Sequence, residues 1–163
     1  MASARGEPAR DVIALARTIE LPLPPDAAWT ALWDVPEVAR CVPGCQGVEE
    51  LESRRRYRAT VKDRVGPFSV TIPLDVAVEP SEDERVLRIT ATGRDSVLGS
   101  PVRMSLVAKL TPGASGGSCL ALDGQAEIGG KLAALGQAVM HRKTRDTLDL
   151  FARQLGDMLR SRG

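Results

Sequence analysis

From Gly129 to Arg160 the chain keeps a helical period with no breaker strong enough to end it, and every proline lies at or before Pro112. Apolar or small residues recur three or four apart at Leu132, Gly136, Met140, Thr144, Leu148, Phe151, Leu155 and Leu159. The stripe predicts one continuous helix of about eight turns, roughly 45 Å long. Lys131, Arg142, Arg145, Asp149, Arg153 and Asp157 fall on the opposite face. That face is solvated, so the helix neither spans a membrane nor is buried all round. The upstream chain must supply an apolar trough of matching length.

It does so with period-two patterning. A first strand is expected over Val12 to Leu21, closed by Pro22, where Ile13, Leu15, Ile19 and Leu21 alternate with other residues. Pro24 and Pro25 then start a short helix carrying Ala28, Trp29, Leu32 and Trp33. Asp34 and Glu37 form a capping-box pattern for a second short helix, Val35 to Val42, stopped by Pro43 and Gly44. From Gly47 to Ile128 alternation dominates. Tyr57, Ala59, Val61, Asp63 and Val65 share one row, opposed by Arg56, Arg58, Thr60, Lys62 and Arg64 on a solvated face. Later runs alternate through Phe68 to Val78, Leu87 to Ala91, Val102 to Leu110 and Leu120 to Ile128. Pro73 within the second run marks an edge or a bulge. Short connections make neighbours antiparallel. The class is therefore α+β: about seven strands curved around one long C-terminal helix, with two short helices after the first strand, a helix-grip arrangement. Residues 1–10 read as a flexible tail and 11–163 as a single domain.

Composition narrows the functions. The chain has 22 basic and 21 acidic side chains, so no overall field favours nucleic acid, and no recognition motif for it occurs. The run Val12 to Ala16 is too short for a signal-peptide core, so a cytoplasmic protein is expected. Three cysteines, an odd number, are expected to be unbridged. Cys41 and Cys45 flank Pro43-Gly44, but with one histidine in the chain and no second ligand pair they do not predict a metal site. They read as small hydrophobes ending the second helix. No paired carboxylates, phosphate loop or nucleophile-base constellation stands out. Tyr57 and Asp63, on one inward row, are the best polar candidates for acid and base work. His141 stands among Arg142, Lys143 and Arg145 as part of a solvated face.

With only five aromatic residues, the interior relies on aliphatic and small side chains. Val70, Ile72, Ile89, Met104 and Leu106 share the inward rows with Ala59, Ala91, Ala108, Gly124 and Ala126. The small residues either let the helix approach closely or leave room for a ligand. An empty void of about 300 Å³ would cost about 7 kcal/mol. That rivals the whole stability of a domain, about 5–15 kcal/mol, so a large cavity is expected to be occupied. The expected ligand-binding set is Val70, Ile72, Ile89, Met104 and Leu106 from the sheet, with Leu132, Leu135, Gly136, Val139 and Met140 from the helix. The entrance is expected at Trp29, Trp33, Pro43 and Gly44, beside Gly130 to Gly136.

Three segments carry a family resemblance: Asp34-Val-Pro-Glu-Val-Ala-Arg-Cys-Val-Pro-Gly-Cys45, Val61-Lys-Asp-Arg-Val-Gly-Pro-Phe68 and Gly129-Gly-Lys-Leu-Ala-Ala-Leu-Gly136. In this order and spacing the chain resembles the carbon monoxide dehydrogenase G-subunit family of the START-like (SRPBCC) superfamily. The resemblance implies a helix-grip domain with an apolar cavity for a quinone or lipid. It also implies an accessory role beside a membrane-linked molybdenum hydroxylase of the carbon monoxide dehydrogenase type. Some family members continue past the long helix into a hydrophobic anchor; no anchor occurs through Gly163, so transient rather than permanent contact with the inner membrane face is expected. The reading is a non-catalytic binding protein without a cofactor. The alternatives are a cyclase- or hydrolase-like enzyme on the same fold acting on an apolar substrate, or an assembly adaptor without ligand.

Overall fold

The structure, a computed structural model, describes residues 10–162, and their side chains from residue 11. The tail expected at 1–10 lies outside these residues except for Arg10, which opens the first strand. In chain order the elements are β1 (Arg10–Leu21), α1 (Pro25–Leu32), α2 (Val35–Arg40), β2 (Cys45–Glu52), β3 (Arg56–Val65) and β4 (Phe68–Ser81). They continue with β5 (Val86–Arg94), β6 (Pro101–Pro112), β7 (Ser118–Gly129), α3 (Gly130–Ala133) and α4 (Gln137–Arg160). The seven strands form one sheet in the order β1-β7-β6-β5-β4-β3-β2, antiparallel throughout. β2 to β7 follow one another as hairpins, and β1 closes the far edge against β7.

The expected continuous helix is interrupted. Gly136 adopts φ 95°, in the left-handed region, and separates the four-residue α3 from the 24-residue α4. α4 is therefore about 36 Å long rather than 45 Å. A glycine on the apolar stripe looks like a small packing residue in sequence, yet its freedom at positive φ lets the chain turn there. The capping box also fails: Asp34 precedes α2 without a side-chain cap bond and instead pairs with Arg162 beyond α4.

Pro73 lies on a central strand, but the β4–β5 ladder begins only at Leu74, opposite Gly93. The missing N–H thus falls where that side of β4 is locally an edge. Gly124 needs a different account from the one its row suggested. A Cβ there would stand 2.0 Å from the Ser105 carbonyl oxygen of β6, so the neighbouring strand, not the helix, excludes a side chain. Gly124→Ala should cost about 2–3 kcal/mol by forced backbone displacement, lowering the melting midpoint by roughly 5–10 °C. A calorimetric midpoint within about 2 °C of wild type would refute this account.

Most buried apolar side chains fall into two separate clusters, while Leu15, Tyr57, Val78, Ala91 and Ala133 are buried outside both. One joins Ile19, Leu21, Trp29, Leu110, Leu120, Leu122 and the C-terminal half of α4 through Ala152, Leu155 and Leu159. The other joins Ile13, Val65, Val70, Ile128, Leu132 and Met140 at the opposite end of the sheet.

Candidate functional site

Between these clusters runs a band of the sheet's inner face. The register sets Ala59 opposite Leu74, Val76 opposite Ala91, Ala91 opposite Met104 and Met104 opposite Ala126. Period-two alternation therefore aims all of them to the side facing α4. Ala59, Val61, Leu74, Val76, Ile89, Met104 and Ala126 are only half-buried and belong to neither cluster. Above this band α4 presents Thr144 and Thr147, also half-buried, between Met140 and Phe151. The α4 backbone neighbours β1 at more positions than β3.

The expected ligand-binding residues divide. Val70, Leu132 and Met140 are buried together, with Ile72 and Leu135 packed on them. Leu106 packs on the other cluster, while Ile89 and Met104 lie in the half-exposed band. Gly136 and Val139 are half-buried at the α3–α4 break. Two surface clefts occur elsewhere. One of ≈ 470 Å³ follows the β1–α4 seam beside Arg17, Ile19, Asp149 and Ala152; one of ≈ 360 Å³ lies on β2–β3 beside Gly47, Val48, Arg58 and Ala59. Neither is lined by the expected residues.

The short helices do not lie at the expected entrance. Trp29, Leu32, Trp33 and Val38 pack on the cluster containing Leu155 and Leu159, at the C-terminal half of α4 rather than beside Gly130–Gly136. The two indoles meet edge to face with centroids 6.1 Å apart. Trp29 Nε1 donates to Glu82 at 2.9 Å, and the Arg54 guanidinium lies 4.6 Å from the centre of the Trp33 ring. Trp29 is thus core, not an exposed ring. Pro43 and Gly44 are half-buried; the Gly44 carbonyl accepts from Lys62 N–H at 2.9 Å, which ties that turn to the middle of β3.

The two inward polar residues do not form one site, because they lie six residues apart on β3, roughly 20 Å. Tyr57 is buried, not solvent-facing as a strand-start position allows. Burial, then the Glu50 charge, pushes its phenol above the usual range, while Arg54 pulls the other way. Glu50 and Arg54 lie near enough to act on ionisation, yet the hydroxyl makes no hydrogen bond of acceptable geometry among the described residues. The same holds for Trp33 Nε1. Asp63 accepts from the Arg64 N–H at 2.8 Å and pairs with Lys143 Nζ at 2.7 Å. The solvated face expected of Lys143 is therefore wrong: its ammonium turns inward to β3, and the side chain is about one-third exposed (32%). Lys143 lies three residues past Met140, at the flank of the apolar stripe, a signal that could have identified it.

Cys41, Cys45 and Cys119 are unpaired. Burial, and then the charge of Glu37, raises the Cys41 thiol above its ordinary value. No cluster of His, Cys, Asp or Glu suited to a metal ion occurs among the described residues. No helix there is long and apolar enough to cross a membrane.

A seven-stranded antiparallel sheet curved toward a long C-terminal helix, with two short helices after the first strand, defines a START-like helix-grip protein. A conserved protein from Geobacillus kaustophilus superposes with TM-score 0.80 at 20% identity, covering 91% of this chain and 95% of that one. A START superfamily protein from Mycobacterium smegmatis gives 0.67 at 14% identity, covering 92% and 99%. The Zhui aromatase/cyclase from Streptomyces sp. R1128 gives 0.58 at 14%, covering 91% and 92%. At such identities these likenesses show the fold alone. No curated protein sequence matches significantly. Within the fold the chain belongs to the carbon monoxide dehydrogenase G-subunit (CoxG) family, whose profile matches residues 18–159.

Proposed function

We propose that this CoxG-family protein is a non-catalytic carrier that holds a hydrophobic small molecule, quinone- or lipid-like, between the middle of α4 and the inner face of the sheet. The observation that carries the reading is the half-exposed apolar band of Ala59, Leu74, Ile89, Met104 and Ala126 between two buried clusters. Apolar side chains aimed under a helix gain roughly 25 cal/mol per Å² once covered, so an apolar guest there is favoured over water. Leu132, Leu135 and Met140, with Val70 and Ile72, close one end of this chamber.

Family membership supports a role beside a molybdenum hydroxylase of the carbon monoxide dehydrogenase type, with the guest exchanged by transient contact at the inner membrane face. The separation of Tyr57 from Asp63 and the pairing of Asp63 with Lys143 leave no acid and base acting together there, which supports binding over catalysis. Protein isolated gently from its native host and analysed by mass spectrometry should release about one hydrophobic molecule per chain. It should also take up a decyl-substituted benzoquinone after delipidation. Recovery of no guest, together with no quinone uptake, would refute the carrier reading.

A further inference from the structure

Two ion pairs tie α4 to the inner side of the sheet, one on β1 and one on β3. Arg17, on the inward row of β1, meets Asp149 of α4 at 2.6 Å. Lys143 of α4 meets Asp63, on the inward row of β3, at 2.7 Å. The second pair stands at the boundary between the buried cluster and the half-exposed band. Asp63 is opposite buried Val70 and two residues from half-buried Val61, while Lys143 is three residues past buried Met140.

A lysine ammonium partly withdrawn from water beside an apolar surface, left alone, is a binding point for the carboxylate of a fatty acid, because solvent screens the attraction less there. Here the place beside that ammonium is already held by Asp63. An anionic head would have to displace the carboxylate or be buried next to it, and both are unfavourable. An uncharged head carrying a carbonyl, hydroxyl or ether oxygen meets no such opposition.

We propose that Asp63 is a specificity-determining residue: by masking Lys143 it makes the chamber select hydrophobic molecules with an uncharged head and reject fatty-acid anions. This assigns a role to the acidic residue within the Val61–Phe68 segment, and it rests on the carrier reading.

The test compares two probes of equal chain length and different charge, dodecanol and dodecanoate at neutral pH. Each competes with N-phenyl-1-naphthylamine bound to the full chain. Wild type should bind dodecanol at least tenfold more tightly than dodecanoate. In Asp63→Asn, with Lys143 unmasked, the affinity of dodecanoate relative to dodecanol should rise about tenfold or more and fall again with added salt. The double variant Asp63→Asn/Lys143→Gln should return the ratio toward that of wild type, which a general loosening of the fold would not do. An unchanged ratio in Asp63→Asn, with both probes still binding, overturns the masking role and leaves the carrier reading standing. A rise that persists in the double variant also overturns it. Binding of neither probe by wild type overturns the carrier reading and the selectivity with it.

Discussion

Replacing Asp95 by alanine should destabilise the domain by about 3–5 kcal/mol, a loss that few single surface changes produce. Asp95 is fully buried at the end of β5, in the loop to β6. Its Oδ1 accepts the Thr71 N–H of β4 at 2.8 Å and its Oδ2 accepts the Leu98 N–H. Its own backbone is tied in as well, with its N–H donating to the Ser100 carbonyl and its carbonyl accepting from Gly99, both at 2.8 Å. Each hydrogen bond to a charged acceptor is worth about 1.5–3 kcal/mol, and deletion leaves two backbone donors buried without partners. The effect extends beyond the loop, because buried Ser100 in turn accepts the Leu132 N–H of α3 at 3.1 Å. The carboxylate therefore fixes the segment that brings Leu132 to the buried cluster of Ile13, Val70 and Met140. Thermal melting should fall by roughly 10–15 °C, with the largest gain in amide exchange at 95–100. Asp95→Asn should recover only part of the loss, since an amide presents one oxygen where two donors converge. A loss below about 1 kcal/mol for Asp95→Ala would refute this role.

Nothing in the sequence distinguished Asp95 from an ordinary polar loop residue, although an aspartate opening a loop and followed by a serine is a known turn pattern. Its value depends on Thr71, a partner 24 residues earlier. The contrast with the strands is instructive. Period two is a local property of the backbone, so the strand frame and the two short helices could be read directly, and the Tyr57 and Val70 rows face inward as alternation requires. The break at Gly136 was hidden because glycine suits both a packed stripe and a left-handed turn. The siting of Trp29 and Trp33 by the C-terminal half of α4 was hidden because where a strand-edge helix docks depends on the curvature of the sheet. The inward turn of Lys143 was hidden because a long flexible side chain at the flank of a stripe can point either way. Local periodicity sets the frame, whereas the side-chain pairings between α4 and the sheet depend on contacts between distant segments.

The proposed chamber makes a prediction that separates a hollow from a merely loose core. Ala126 lies on the inward row of β7, opposite Ile13 of β1 and Met104 of β6, and is half-buried in neither cluster. If the space above it holds a guest, Ala126→Phe fills that space with a side chain of the same chemical character. Burying the added ring then contributes roughly 1.5–3 kcal/mol. The variant should melt at or above the wild-type temperature while its affinity for a decyl-benzoquinone falls more than tenfold. In a filled core the same change would instead force side chains off their rotamers and cost about 1–3 kcal/mol. Melting and binding measured together thus give opposite answers for the two cases. Lowered stability with unaltered quinone affinity would show that the band is ordinary packing and that the guest, if any, lies elsewhere. The choice of Ala126 rather than Gly124 matters, because a side chain at Gly124 runs into the Ser105 carbonyl whether or not a chamber exists. At Ala126 the sign of the stability change reports on the space beneath α4.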